Sequence, residues 1–251
     1  MTTHRPARNR VSPLGDIIAV PGRGAWMGNR GRLHEGRGTR DIVRNHQHKT
    51  WIICALSFRD RRVAQWEPLR YTPLFFLDEA VALAAGHRPC AECRRNAYNT
   101  YRTMWADTHC GSMAYAKDMD ARLHGERTGG TEHRAAWDSL PDGVFVVSEG
   151  GPAVVVGDQL AVWDTRDNIY RDKLSRPRTG TALVITPRST LGYLASRLPG
   201  PDRGILTRWQ AHPPSTPSPH DTRWIPVCAR WPECCPADMP YTAATNSSAD
   251  L

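Results

Sequence analysis

The chain has 251 residues with 40% hydrophobic content, enough to fill a core without help from disulfides or metal. Lys+Arg 33 against Asp+Glu 25 gives a formal charge of +8, a balance that favours phosphate-rich partners. No run approaches the roughly 18 unbroken apolar residues of a membrane helix, and the N-terminal apolar run DIIAV is too short for the core of a signal peptide. These features predict a cytoplasmic protein with no membrane partner. Its seven cysteines are odd in number and uneven in spacing, which suits reduced thiols and metal ligation better than a disulfide framework.

In chain order, residues 1–12 read as a basic mobile tail. GDIIAV reads as a short strand followed by the glycine-dense loop PGRGAWMGNRG, and KTWIICALSF as a buried strand. DEAVALAAG has the marks of a short helix, with Asp78 and Glu79 at its positive end and Gly86 at its stop. A second helix is expected through RRNAYNTYRTMWADTH, where Ala97, Tyr101, Met104 and Trp105 recur at helical spacing, and a third through SMAYAKDMDARLHGE. From Leu140, strands separated by Asp-Gly, Gly-Gly and Gly-Asp predict a β meander. TALVITP adds a strand and STLGYLASRL a helix with a serine N-cap. From residue 211 the chain is rich in proline, serine and threonine and reads as a flexible tail, with Cys228, Cys234 and Cys235 as free or adventitiously metal-binding thiols.

Between the first two helices, GHRPCAECRR sets Cys90 and Cys93 in a C-x-x-C turn. Such a turn delivers two thiolates to one zinc ion at little backbone cost, and two buried thiols are the alternative. The string FFLDEAVALAAGHRPCAECRR, residues 75–95, resembles the second half of the zinc module of the Ada-type proteins that respond to DNA methylation. The resemblance implies that Cys90 and Cys93 are zinc thiolates, that Arg88 and Pro89 shape the knuckle, and that Gly86 ends the helix. His87 matches a position that is usually aromatic in that family, which implies packing rather than ligation. The family's upstream half carries two closely spaced cysteines, whereas here Cys54 stands alone. A local four-thiolate site and methyl transfer to it are therefore not expected. The chain also resembles bacterial and phage proteins that share an MGNRG...LH loop and an LFFLDEA...HRPC..CRR block, which brings no activity with it.

Cys54 is either a further ligand or a core thiol of its apolar strand. Of the upstream histidines His34, His46 and His48, the one favoured as ligand is His34, which closes the glycine-rich loop. Arg94, Arg95 and Arg102 beside the knuckle, with Arg30 in the loop, are the candidate phosphate contacts. A second constellation, LHGERTGGTEHR, places His124, Glu126, Arg127 and His133 in one segment. His124, Glu126 and His133 have the chemistry for proton transfer on a phosphodiester, while a solvated turn is the plainer reading.

Together these features predict an α+β fold, with a small zinc-knuckle α/β region over residues 13–135, then a β-rich meander with a C-terminal helix over 136–210. The function expected is zinc-dependent binding of nucleic acid, DNA rather than RNA, linked to DNA modification or repair. A metal-assisted hydrolase acting on nucleic acid and a protein-interaction module with structural zinc are the competing classes.

Overall fold

The computed structural model describes residues 6–35, 40–60, 65–109, 111, 113–130 and 132–196. The tail expected from residue 211, with its three cysteines, lies outside them. The fold is α+β, as the sequence predicts, with two six-stranded sheets and four α-helices among the described residues. The first sheet is built from β1 (Arg10–Val11), β2 (Ile17–Ile18), β3 (Trp26–Asn29), β4 (Ile52–Cys54), β5 (Leu74–Phe76) and β6 (Arg88–Pro89), in the order β2-β1-β5-β3-β4-β6. Helix α1 (Glu79–Ala84) follows β5, and α2 (Arg95–Thr108) and α3 (Ala116–Thr128) follow β6.

The second sheet has β7 (His133–Ala136), β8 (Phe145–Ser148), β9 (Gly151–Val156), β10 (Gln159–Asp164), β11 (Ile169–Ser175) and β12 (Thr181–Val184), in the order β11-β10-β9-β8-β12-β7, with every pairing antiparallel. Strands β8 to β11 form the expected meander. A 3-10 turn at Arg188–Thr190 leads into α4 (Leu191–Ser196), so the C-terminal helix starts without the predicted serine cap.

Three expectations are corrected. The described part of the 1–12 segment is no mobile tail: β1 lies between β2 and β5, Val11 is fully buried, and the Asn9 carbonyl accepts from Phe75 N at 2.8 Å. Within the glycine-dense stretch, Trp26–Asn29 form an interior strand of the first sheet. Glycine at 28 permits this, because a Cβ there would come within 2.4 Å of the Phe76 ring. The region boundary at 135/136 falls inside β7, which pairs with β12 across its whole length, and one apolar core runs through both sheets.

Helix α1 packs against β3, β5 and β8 and so joins the two sheets. Asp78 caps it by accepting from Val81 N at 2.9 Å, and Gly86 beyond its end takes a φ of 75° that favours glycine. The other Asp78 oxygen accepts from Tyr170 Oη at 2.8 Å, tying β11 to the start of α1. Helix α2 turns Tyr98, Tyr101, Met104 and Trp105 inward and packs on α4 and β6. Among the described residues, no helix is long and apolar enough to cross a membrane.

Candidate metal centre

In a strand, alternate side chains leave opposite faces. Ile53 pairs with Gly28, which pairs with Leu74, and Ile53, Leu74 and Phe76 are fully buried, so this face is the core face. Cys54, paired with Met27, therefore leaves the other face of the sheet. Strand β6 runs parallel to β4, and Cys90 N donates to Ile53 O at 2.9 Å, which fixes Cys90 beside the end of β4. The turn that starts α2 is closed by Arg94 N donating to Cys90 O at 3.2 Å, and it brings Cys93 back over the same point.

The three Sγ atoms of Cys54, Cys90 and Cys93 lie within 4.8 Å of one another. Cys90 is buried, while Cys54 and Cys93 are half-buried. Ala55 N donates to Cys93 Sγ and Glu92 N to Cys90 Sγ, each at 3.4 Å. These N–H···S bonds favour thiolate over thiol. Hydrogen bonds from the Cys54 and Cys93 thiols hold Cys90 well below the ordinary thiol range. Cys54 is raised, first by its bonds to Cys90 and Cys93 and then by burial. Without a cation the three sulfurs compete for negative charge, and a soft divalent ion would relieve that competition at all three. Donor type, convergence and amide support all fit a thiolate metal site, and Cys54 stands with the other two cysteines rather than on the core face.

His34 does not. The residue is 2% exposed and both ring nitrogens are engaged: Nε2 donates to Glu67 O at 3.1 Å, and Nδ1 accepts from Thr72 Oγ1 at 2.7 Å. The Glu67 carbonyl can only accept, so Nε2 is the donor there and Nδ1 is left to accept from the Thr72 hydroxyl, whose oxygen also accepts from Leu33 N. With one nitrogen protonated and the lone pair of the other occupied, His34 is a buried clasp. Of the other two upstream histidines, His46 packs on Trp51 and His124, and His48 is exposed.

Two of the expected phosphate contacts are interior. Arg94 Nη2 donates to Glu79 Oε1 at 2.6 Å, with the guanidinium 3.9 Å from the Trp26 ring centroid and 6% of the side chain exposed. Arg30 is 1% exposed, gives Nε to His87 Nε2 at 3.1 Å and Nη1 to Gly15 O at 2.9 Å, and covers the Trp51 ring at 4.0 Å. Arg95 is exposed, and Arg102, half-buried, donates Nε to Ala114 O at 2.9 Å. The reason for the difference is local. Arg94 is the N-cap residue of α2 and points back under the knuckle toward α1, whereas Arg95 begins the helix's outer side.

The expected proton-transfer trio is divided. On α3, His124 faces His46 and Trp51, with ring centroids at 4.7 and 5.6 Å. Glu126, two residues on, accepts from the backbone N and Oγ of Ser189 and pairs with Arg122. His133 on β7 is within electrostatic reach of Glu126 and is pushed down mainly by burial. Glu126 therefore secures the turn before α4, and His124 belongs to a different cluster.

Spacing gave no sign of the buried pairings that organise this half. Arg88 donates Nε and Nη2 to the two Asp120 oxygens at 2.7 and 2.9 Å, across 32 residues, and Arg30 meets His87 across 57. Comparison of the chain with protein-family models, with curated proteins and with solved structures gave no match.

Proposed function

We propose that this chain is a zinc-thiolate protein that binds nucleic acid. The observation that carries the metal is the convergence of Cys54, Cys90 and Cys93 outside the apolar core. Thiolates select zinc over harder cations, and zinc has no redox chemistry of its own to impose. When bound, it would tie β4 to the turn before α2 and neutralise the sulfurs. The fourth position is left to a group beyond these three.

The partner reading rests on charge and position. The chain is basic overall, with a formal charge of +8, and Arg95 stands exposed two residues after Cys93 with Arg102 two turns along the same helix. The Ada-like string favours DNA over RNA. With His124 turned away from Glu126 and His133, binding is the better reading of this chain than hydrolysis.

The test is fluorescence anisotropy with labelled duplex DNA, single-stranded DNA and RNA across a salt series. Affinity is expected to fall with salt, and the Arg95→Ala/Arg102→Ala variant to flatten the logarithmic salt slope by roughly 2, about one for each phosphate no longer neutralised. Absence of binding at low salt would overturn the nucleic-acid reading and favour an interaction module with structural zinc.

A further inference from the structure

Around Trp51, positive groups outnumber the carboxylates. Arg30 lies over its ring, and Arg127 of α3 approaches the same ring at 6.0 Å. Arg127 donates to the Ala84 and Leu14 carbonyls. A Cβ at Gly15 or Gly86 would come within 2.0 or 2.1 Å of the Arg127 side chain, so glycine at both positions makes room for this guanidinium. His46 and His124 pack on Trp51 from the outer side, and Lys49 is within electrostatic reach of His124.

The carboxylates nearby do not balance this set. Asp120 is held bidentately by Arg88 and also accepts from Thr50 Oγ1 at 2.9 Å. Asp16 is exposed and acts on Arg30 and Arg127 only through space. Burial, then the neighbouring Arg127, push Arg30 down to about 9. Arg30 Nη2 is buried with no hydrogen-bond partner among the described residues. A buried guanidinium is normally matched by an anion or fully hydrogen-bonded, because an unpaired cation in the interior is costly. Here one donor is left over, and the one carboxylate that acts on both guanidiniums, Asp16, is exposed and does not bond to either of them.

We propose that Arg30 and Arg127, with Lys49, His46 and His124 at the rim, form a site for a phosphate-type oxyanion. Arg127 and Lys49 supply the charge that draws the ligand. The Nη2 donor of Arg30 is the one the oxyanion satisfies, and the two imidazoles add donors at the rim. The phosphate is either free, on a small molecule, or part of a nucleic-acid backbone, and the chemistry at the site is the same. The site involves no cysteine, so it stands or falls apart from the metal centre.

The experiment is calorimetric titration of the full chain with inorganic phosphate at constant ionic strength, followed by competition between phosphate and a labelled oligonucleotide. Saturable binding of about one phosphate per chain is expected. Lys49→Glu/His124→Gln is expected to weaken it about tenfold or more, the scale of one or two charge-assisted hydrogen bonds, with melting temperature and zinc content unchanged. Arg30→Lys, which keeps the charge and removes the planar fork, is expected to weaken phosphate without changing metal content. Phosphate that displaces the oligonucleotide assigns the site to a nucleic-acid backbone, and phosphate that binds without displacing it assigns a small phosphorylated ligand. No saturable phosphate binding, or rim variants that bind as the wild type does, would overturn the site whether or not the chain binds nucleic acid elsewhere.

Discussion

Both sheets have six strands, yet those of the first are two to four residues long and those of the second four to seven. The second is held in the ordinary way, by a ladder of backbone bonds and by apolar strands buried on both faces, where Phe145, Val146, Ala153, Val154 and Val155 are fully buried. The first has too little ladder for that. Its segments are pinned by buried polar side chains that reach across long stretches of chain: Arg88 to Asp120, Arg94 to Glu79, Arg30 to His87 and His34 to Thr72. A metal ion that joins β4 to the start of α2 would be one more pin of the same kind. Short strands thus go together with an ionised interior and with the converging cysteines.

The largest effect that would break this comparison is at Asp120. Removing one partner of a buried pair strands the other charge, so Asp120→Ala is expected to cost about 3–5 kcal/mol in urea denaturation. In the second sheet, Phe145→Ala is expected to cost a similar amount, about 3–5 kcal/mol, through a cavity instead. A cost at Asp120 no larger than that of an ordinary surface change would mean that the first sheet is not held by its ion pairs.

Where the sheets meet, Asp78 supplies a pH signature. Burial pushes its carboxyl from 3.8 up to about 6, against the pull of its bonds from Val81 and Tyr170. The folded state therefore holds this proton more tightly than the unfolded chain does. The resulting stability is fully present below pH 4 and is lost as pH rises through about 6, a change of roughly 2–3 kcal/mol. Asp78→Asn is expected to remove that component, so the wild-type and variant stability curves should diverge across this window in denaturation at stepped pH. Parallel curves would show that Asp78 ionises freely.

A smaller effect, about 1–3 kcal/mol, is expected for His34→Ala, which strands the Thr72 hydroxyl and the Glu67 carbonyl. Metal content should not change, and its loss would reopen His34 as a ligand. Smallest in stability is Arg95→Ala, within about 0.5 kcal/mol as for other exposed positions. Its neighbour Arg94→Ala should destabilise the fold through Glu79, so thermal melts of the two variants separate the interior arginine from the surface one.

The same contrast explains what the sequence made legible. The meander could be read because each strand alternates or runs apolar between Gly-Asp and Gly-Gly turns, and the ladder follows that pattern residue by residue. Helices α1 and α2 were legible from Asp78, Gly86 and the Tyr101, Met104, Trp105 spacing. In the first sheet, a strand such as Trp26–Asn29 carries no period long enough to detect, and its glycine looks like loop. Arginines and histidines there resemble a solvated surface, because the partners that bury them lie 15 to 57 residues away. Cys90 and Cys93 were legible through their spacing. Cys54 remained open until the pairing with Met27 placed it on the face opposite Ile53.

The most direct test of the central claim is the metal content of the purified full chain beside Cys54→Ser, Cys90→Ser and Cys93→Ser, with cobalt substitution to report sulfur ligation by its charge-transfer absorbance. About one zinc per chain is expected in the wild type, lost or sharply weakened in each of the three variants, with the cobalt–thiolate band falling as each sulfur is removed. Full metal content in Cys54→Ser, or a wild-type chain that takes up no zinc when refolded with it, would contradict the three-thiolate centre.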